Sequence, residues 1–212
     1  MKKSILILMA AIMVVFTACS KSDTKTSEVD KTYPPMVKVD GTTYTDTGYE
    51  NAMVTCGTAD GEIKTTVDGK SMPEKDDESN FDTGYGYQVW ENGYINVEIE
   101  GRWILFRDVE LKDDGQIPKW VGHFTAKVIN TEEDSIMVEA TEIEDGFYFK
   151  DLLTKPILLS IDNLKNEKDG KTTTEGLEGK TVEVYFGGEI KNTEPESSVP
   201  INLEKIYRIE VK

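Results

Sequence analysis

Few residue types in this 212-residue chain could carry reaction chemistry, and their spacing narrows the choice. The one histidine is His123, so a metal site built from several imidazoles is impossible and any Ser-His-Asp triad would have to use it. In Gly122-His123-Phe124 it reads as a structural or surface residue at the start of a strand. Gly69-Lys70-Ser71 and Gly179-Lys180-Thr181 match the end of a phosphate-binding loop. The glycine required five positions earlier is replaced by Lys64 and Thr174, and both are rejected. Ser22-Asp23-Thr24-Lys25 has the Ser-x-x-Lys spacing of an acyl-transfer nucleophile, in a stretch too polar to build a pocket. Lys165 to Gly176 brings Glu167, Asp169 and Gly170 near calcium-loop spacing, yet Lys165 and Gly176 stand at the first and last ligand positions, which need Asp and Glu. The clusters Asp76-Asp77-Glu78, Glu132-Glu133-Asp134 and Glu142, Glu144, Asp145 read as solvated turns that could hold calcium weakly. With 40 acidic residues, carboxylate pairs of the kind used in glycoside cleavage occur by chance, so their presence decides nothing. The expectation is no enzyme: no catalytic residue, no metal and no cofactor.

Cysteine chemistry is more informative. Lys2 and Lys3 precede an apolar run from Ile5 to Phe16, which ends in Thr17, Ala18 and Cys19. This is the layout of a secretion signal over residues 1–18, and a run of about 12 residues is too short for a helix spanning the roughly 30 Å hydrocarbon core. Phe16-Thr17-Ala18-Cys19 resembles the bacterial lipobox. That resemblance implies alkylation of the Cys19 sulfur by a diacylglyceryl group, a step that needs a nucleophile as good as a thiolate. Two acyl chains give durable attachment where one is marginal. Residues 19–32, rich in Ser, Thr, Lys and acids, cannot bury enough apolar surface to order themselves and read as a tether with a reach on the order of 20 Å. The expected location is the extracytoplasmic face of the cell membrane. Once Cys19 is consumed, Cys56 has no partner for a disulfide; in the strand-like Met53-Val54-Thr55-Cys56 it is expected to be a buried, inert thiol.

Without residues 1–18 the chain carries 22 Lys and Arg against 40 carboxylates, a net charge of −18. Such a body repels polyanions, and with no basic patch nucleic-acid binding is set aside.

The elements that must position any site are strands. Tyr94 to Glu100 alternates apolar with polar, turns at Gly101 and continues as Trp103-Ile104-Leu105-Phe106, the pattern of a hairpin with one buried face. Similar alternation marks Met36 to Val39, Ile63 to Val67, Tyr85 to Val89, Phe124 to Ile129, Ile136 to Ala140, Val182 to Phe186 and Ile206 to Val211. Helix is minor, with one or two turns possible at Phe147 to Leu153. Short strands separated by Gly, Asp, Asn and Pro predict an all-β fold. The polar break at Lys112 to Pro118 divides it into two small β domains, 33–115 and 119–212. The loop Met72 to Asn80 reads as too polar to be core. One candidate binding surface emerges from Tyr85, Tyr87 and Trp90: the tyrosines share a strand face and Gly84 and Gly86 leave the other face bare for a sugar or peptide. The competing reading packs these rings in the core.

Phe124 to Ile129, Ser135 to Glu139, Val182 to Ile190, Pro200 and Ile206 to Ile209 together resemble a small OB-like barrel of uncharacterised Gram-positive lipoproteins. Gly61-Glu62-Ile63, Ser79-Asn80-Phe81, Gly84 to Tyr87 and Trp103 to Phe106 resemble a second recurrent module of such proteins. The likeness implies fold and location and carries no activity. The resulting expectation is a non-enzymatic binding or interaction protein, held to the membrane by its diacylglyceryl cysteine, with an unknown protein or small ligand. The alternatives are an accessory lipoprotein docking on a membrane protein and a carboxylate-based envelope hydrolase.

Overall fold

The computed structural model describes residues 32–53, 56–168 and 171–212. Cys19, the signal segment and all but the last residue of the tether lie outside the described residues. The remainder, Thr32–Lys212, forms one compact unit. Every regular element described is a β-strand, so the protein is all-β.

The first half builds one sheet. β1 (Met36–Val39), β2 (Thr42–Glu50), β3 (Gly61–Glu62), β4 (Thr65–Thr66), β5 (Glu78–Ser79), β6 (Gly86–Val89), β7 (Tyr94–Ile99) and β8 (Arg102–Asp108) lie in the order β3-β6-β7-β8-β2-β1-β5-β4. The β7–β8 hairpin anticipated from alternation is present, with Ile99 opposite Arg102 and the turn residues Glu100 and Gly101 both at positive φ, 53° and 75°. That pair of left-handed residues matches the right-handed strand twist, which makes glycine at 101 the natural choice. Val37, Val39, Ile63, Ile95, Val97 and Phe106 form the apolar centre of this sheet.

The second half closes on itself. β9 (Gly122–Thr131), β10 (Ser135–Glu142), β11 (Ile157–Ser160), β12 (Leu164–Lys165), β13 (Glu167–Lys168), β14 (Lys171–Thr172), β15 (Thr181–Lys191) and β16 (Ile201–Val211) follow in the chain. The sheet order is β11-β10-β9-β15-β16, and β11 returns to pair with β16, parallel, through Ile157↔Ile201 and Leu158↔Asn202. Counting these five strands in chain order gives the ring 1-2-3-5-4-1 of an OB-like barrel. Phe124, Val138, Ile157, Val184, Phe186 and Ile209 fill its interior at 1% exposure or less. Truncating such a ring, as in Phe186→Ala, costs about 3–5 kcal/mol in cores of this kind.

The two sheets share contacts. Beyond β2 the chain leaves the first sheet, and Asn51 and Met53 form bridges to Val121 and Phe147 beside the barrel. Leu105, Trp120 and Val121 make an apolar joint with Tyr49, Trp90 and Tyr207 packed around it.

Three local expectations are corrected. The Met72 to Asn80 loop does enter the core: Glu78, Ser79 and Asn80 are buried because their polar atoms are satisfied. Glu78 Oε2 accepts the Glu74 N–H at 2.8 Å, and Asn80 Oδ1 accepts the Met36 N–H at 2.7 Å. Cys56 is exposed, as are residues 57–60 that lead from it into β3. Phe147 to Leu153 is not helical. It is a run of turns, with the Lys150 N–H donating to the Phe147 carbonyl at 3.3 Å and the Leu152 N–H to the Phe149 carbonyl at 2.9 Å; Phe147 and Phe149 are buried in the barrel core and the intervening Tyr148 is exposed.

Candidate functional site

A groove of about 570 Å³ opens where the first sheet meets the barrel. Its lining comes from five stretches: Glu50, Asn51 and Met53 at the end of β2; Gly101, Arg102 and Trp103 at the start of β8; Tyr148; Gly188 and Glu189 of β15; and Glu204 of β16. The volume lies within the range of small-ligand clefts. Topology creates the groove, since β8 starts at its floor and the β15–β16 pair forms the opposite wall.

That wall is shaped by a bulge. The β15–β16 register shifts between Gly187 and Ile190. Gly187 has no room for a side chain because the Tyr207 hydroxyl occupies the space a methyl group would take. Gly188 has φ +77°, and a Cβ there would lie 2.6 Å from Glu204 Oε2. The two glycines bend β15 so that backbone N–H groups face carboxylates: Gly188 N–H donates to Glu50 Oε2 at 3.0 Å, and Glu189 N–H donates to Glu204 Oε2 at 2.7 Å.

The charges at the groove are largely paired among themselves. Arg102 Nη1 lies 3.2 Å from Glu50 Oε1, and Lys191 Nζ lies 3.4 Å from Glu189 Oε2. The Glu189 N–H holds the Glu204 carboxyl below the ordinary glutamate value. Tyr148 is 51% exposed, and its phenol is raised by partial burial and then by the Glu50 carboxylate. Asn51 is spent structurally: its Nδ2 donates to Asn96 Oδ1 at 3.0 Å and its Oδ1 accepts the Met53 N–H. The groove therefore offers two aromatic rings, a thioether, carboxylate lone pairs and guanidinium N–H groups. A carboxyl kept protonated at neutral pH, as a general acid needs to be, is the opposite of what Glu204 displays.

A second hollow of about 270 Å³ lies on the first sheet under the connection between the halves. Its one cation, Arg107, is taken by that connection: Nη1 is 3.0 Å from Asp113 Oδ1 and Nη2 donates to Oδ2 at 3.1 Å. This two-pronged pair leaves the hollow's cation committed within the chain.

The aromatic residues expected to bind lie elsewhere, Tyr85 and Tyr87 at the core of the first sheet and Trp90 in the joint. Tyr87 is 8% exposed and donates its hydroxyl to Asp77 Oδ1 at 2.7 Å. Tyr85 stacks on Phe81 at the edge of the same core. Trp90 packs edge-on against Trp120 in the joint, with its buried indole N–H unpartnered. None of the three lines the groove. His123 stacks on Tyr185, and one ring nitrogen meets the Val121 carbonyl at 2.9 Å. Among the described residues no group of three or more His, Cys, Asp or Glu side chains is arranged to hold a metal ion. The acidic turns have internal duties instead: Asp76 accepts the Gly41 N–H, and Asp77 pairs with Lys64 at 2.5 Å.

The groove residues escaped sequence reasoning because they come from five distant stretches. The one local signal was the Gly187-Gly188 pair inside an otherwise apolar strand, which marks a bulge or a close approach.

Comparison with protein-family models, curated proteins and solved structures finds no match.

Proposed function

We propose that this chain is a lipid-anchored lipoprotein of the extracytoplasmic face of the membrane, whose β body binds a ligand in the groove between the first sheet and the barrel without transforming it. The observation that carries the binding half is the open groove with Trp103 and the half-exposed Tyr148 beside the Glu50–Arg102 pair. An exposed aromatic surface of this size separates a ligand binder from a partner docker, which presents a flat apolar patch, and from a carboxylate hydrolase, which needs buried acids in its cleft. Glu78 is the one buried acidic side chain among the described residues, and it is committed to backbone N–H groups away from the groove. The anchor half rests on the sequence: the short apolar run, the absence of charge within it, and Cys19 at its end.

The test is crosslinking of the native chain in intact cells, with Cys19→Ser and Tyr148→Ala as controls. A small ligand retained by the parent and by Cys19→Ser but lost in Tyr148→Ala supports the reading. A membrane protein captured by the parent and by Tyr148→Ala, and lost in Cys19→Ser, replaces it with the accessory role.

A further inference from the structure

The groove's own chemistry restricts what can occupy it, and this step rests on the binding role proposed above. We infer that its ligand is an uncharged saccharide, a short stretch of neutral sugar rings lying across Trp103 and Tyr148.

Charge pairing is the first argument. Glu50 has Arg102 on one oxygen and the Gly188 N–H on the other, at 3.2 and 3.0 Å; Glu189 has Lys191; Glu204 has the Glu189 N–H. An anionic ligand would have to draw Arg102 from Glu50 or Lys191 from Glu189, and a cationic one would compete for Glu204 with the charges of Arg102, Lys191 and Lys205 that already act on it, so the exchange returns little. Hydroxyl groups break nothing. Each carboxylate oxygen accepts more than one hydrogen bond, and Arg102 has five N–H donors of which the Glu50 contact uses one. A carboxylate and a guanidinium held side by side present an acceptor next to a donor, which is what two neighbouring sugar hydroxyls require.

Apolar chemistry supplies the second argument. Sugar rings carry patches of C–H on their faces, and Trp103, Tyr148 and the Met53 thioether give flat or soft surfaces for them. Tyr148 is held outward by its neighbours Phe147 and Phe149, both buried in the barrel, so the ring is positioned without a ligand. A purely apolar ligand would leave Glu50, Glu204 and Arg102 facing it unsolvated, which is costly. At the β7–β8 turn, Gly101 leaves the groove floor open, with nothing within 4 Å of where a Cβ would stand.

The experiment is titration calorimetry of the full chain, held in a non-glycosidic detergent, with three uncharged probes: maltotriose, cellotriose and chitotriose. Binding of at least one is expected. Tyr148→Ala and Arg102→Ala should each weaken it about tenfold or more, and Trp103→Phe should weaken it less than Tyr148→Ala. Tyr148 and Arg102 are exposed, so these variants should keep the parent unfolding temperature. Affinity should change less than about twofold between ~50 and ~500 mM salt, because no charge pair is made or broken. No binding of any probe overturns the saccharide assignment. If short peptides bind instead, and Tyr148→Ala abolishes that, the saccharide class falls while the groove stands. Saccharide binding indifferent to both substitutions overturns the assignment to this groove and the binding site with it.

Discussion

Glu50 at the end of β2 accepts the backbone N–H of Gly188, 138 residues further along the chain, at 3.0 Å while its other oxygen meets Arg102. One carboxylate thus ties the first sheet to the barrel wall at the rim of the groove. Lys205 adds a second tie, donating to the Gly48 carbonyl at 3.1 Å. Because Gly188 must be at positive φ to aim its N–H there, Gly188→Ala should cost about 1–3 kcal/mol of stability. Glu50→Ala should cost a similar amount, on the order of 1–3 kcal/mol, by leaving a donor unsatisfied. The two changes should be less than additive in urea unfolding, since relaxing the strain that Gly188→Ala creates gives up the same N–H bond that Glu50→Ala removes. Full additivity would break the link.

Glu78 predicts an acid-side signature. Its carboxyl is held below the ordinary glutamate value by the Glu74 N–H first, with the Lys75 N–H adding to this. A group whose folded value is depressed stabilises above its unfolded pKa, near 4.3, and loses that contribution as pH falls through the lower folded value. Glu78→Gln should therefore lower the unfolding temperature at pH 7, and the gap between variant and parent should close below about pH 4. A gap that stays constant from pH 7 to pH 3 contradicts this origin.

Cys56 is exposed, against the sequence expectation of a buried thiol. In a Cys19→Ser background, maleimide should label the native protein once, at Cys56, at a rate insensitive to mild denaturant. Labelling that waits for unfolding would return Cys56 to the core.

Cys19→Ser should also move the protein from the membrane to the soluble extracytoplasmic fraction without lowering its unfolding temperature. Palmitate incorporation, followed by mass spectrometry of the N-terminal peptide, should be present in the parent and absent in the variant. Membrane retention of Cys19→Ser contradicts the anchor.

Period-two alternation made much of the fold legible. Met36–Val39 is a strand as read, the run read from Tyr94 to Glu100 is a strand as far as Ile99, and the alternating runs that start at Phe124, Ile136, Val182 and Ile206 fall inside β9, β10, β15 and β16. β2 left no such trace: Thr42–Glu50 is Thr, Tyr, Asp, Gly and Glu, half-buried along most of its length, so neither face is apolar enough to show. β5 was hidden for a different reason, because Glu78 and Ser79 are buried by hydrogen bonding and hydropathy reports only the polarity. The candidate site was less legible still. Trp103 was visible as a strand residue, but its neighbours Tyr148 and Glu204 reach the groove only through barrel closure, which no local pattern encodes. Tyr85 and Tyr87 had the right spacing for an exposed aromatic face; the Asp77 carboxylate and Phe81 draw them instead against the first sheet's core.

The groove is the central claim, and the chain's three tryptophans report on it separately. Trp103 lines the groove, whereas Trp90 and Trp120 pack in the joint. The full chain carrying fluorotryptophan, observed by fluorine NMR during titration with a size-fractionated digest of neutral cell-envelope glycans, should show the Trp103 resonance shifting in a saturable way. Trp90 and Trp120 should stay still, and Tyr148→Ala should abolish the shift. A spectrum in which Trp103 is unmoved while the glycan binds would place recognition elsewhere and contradict the account.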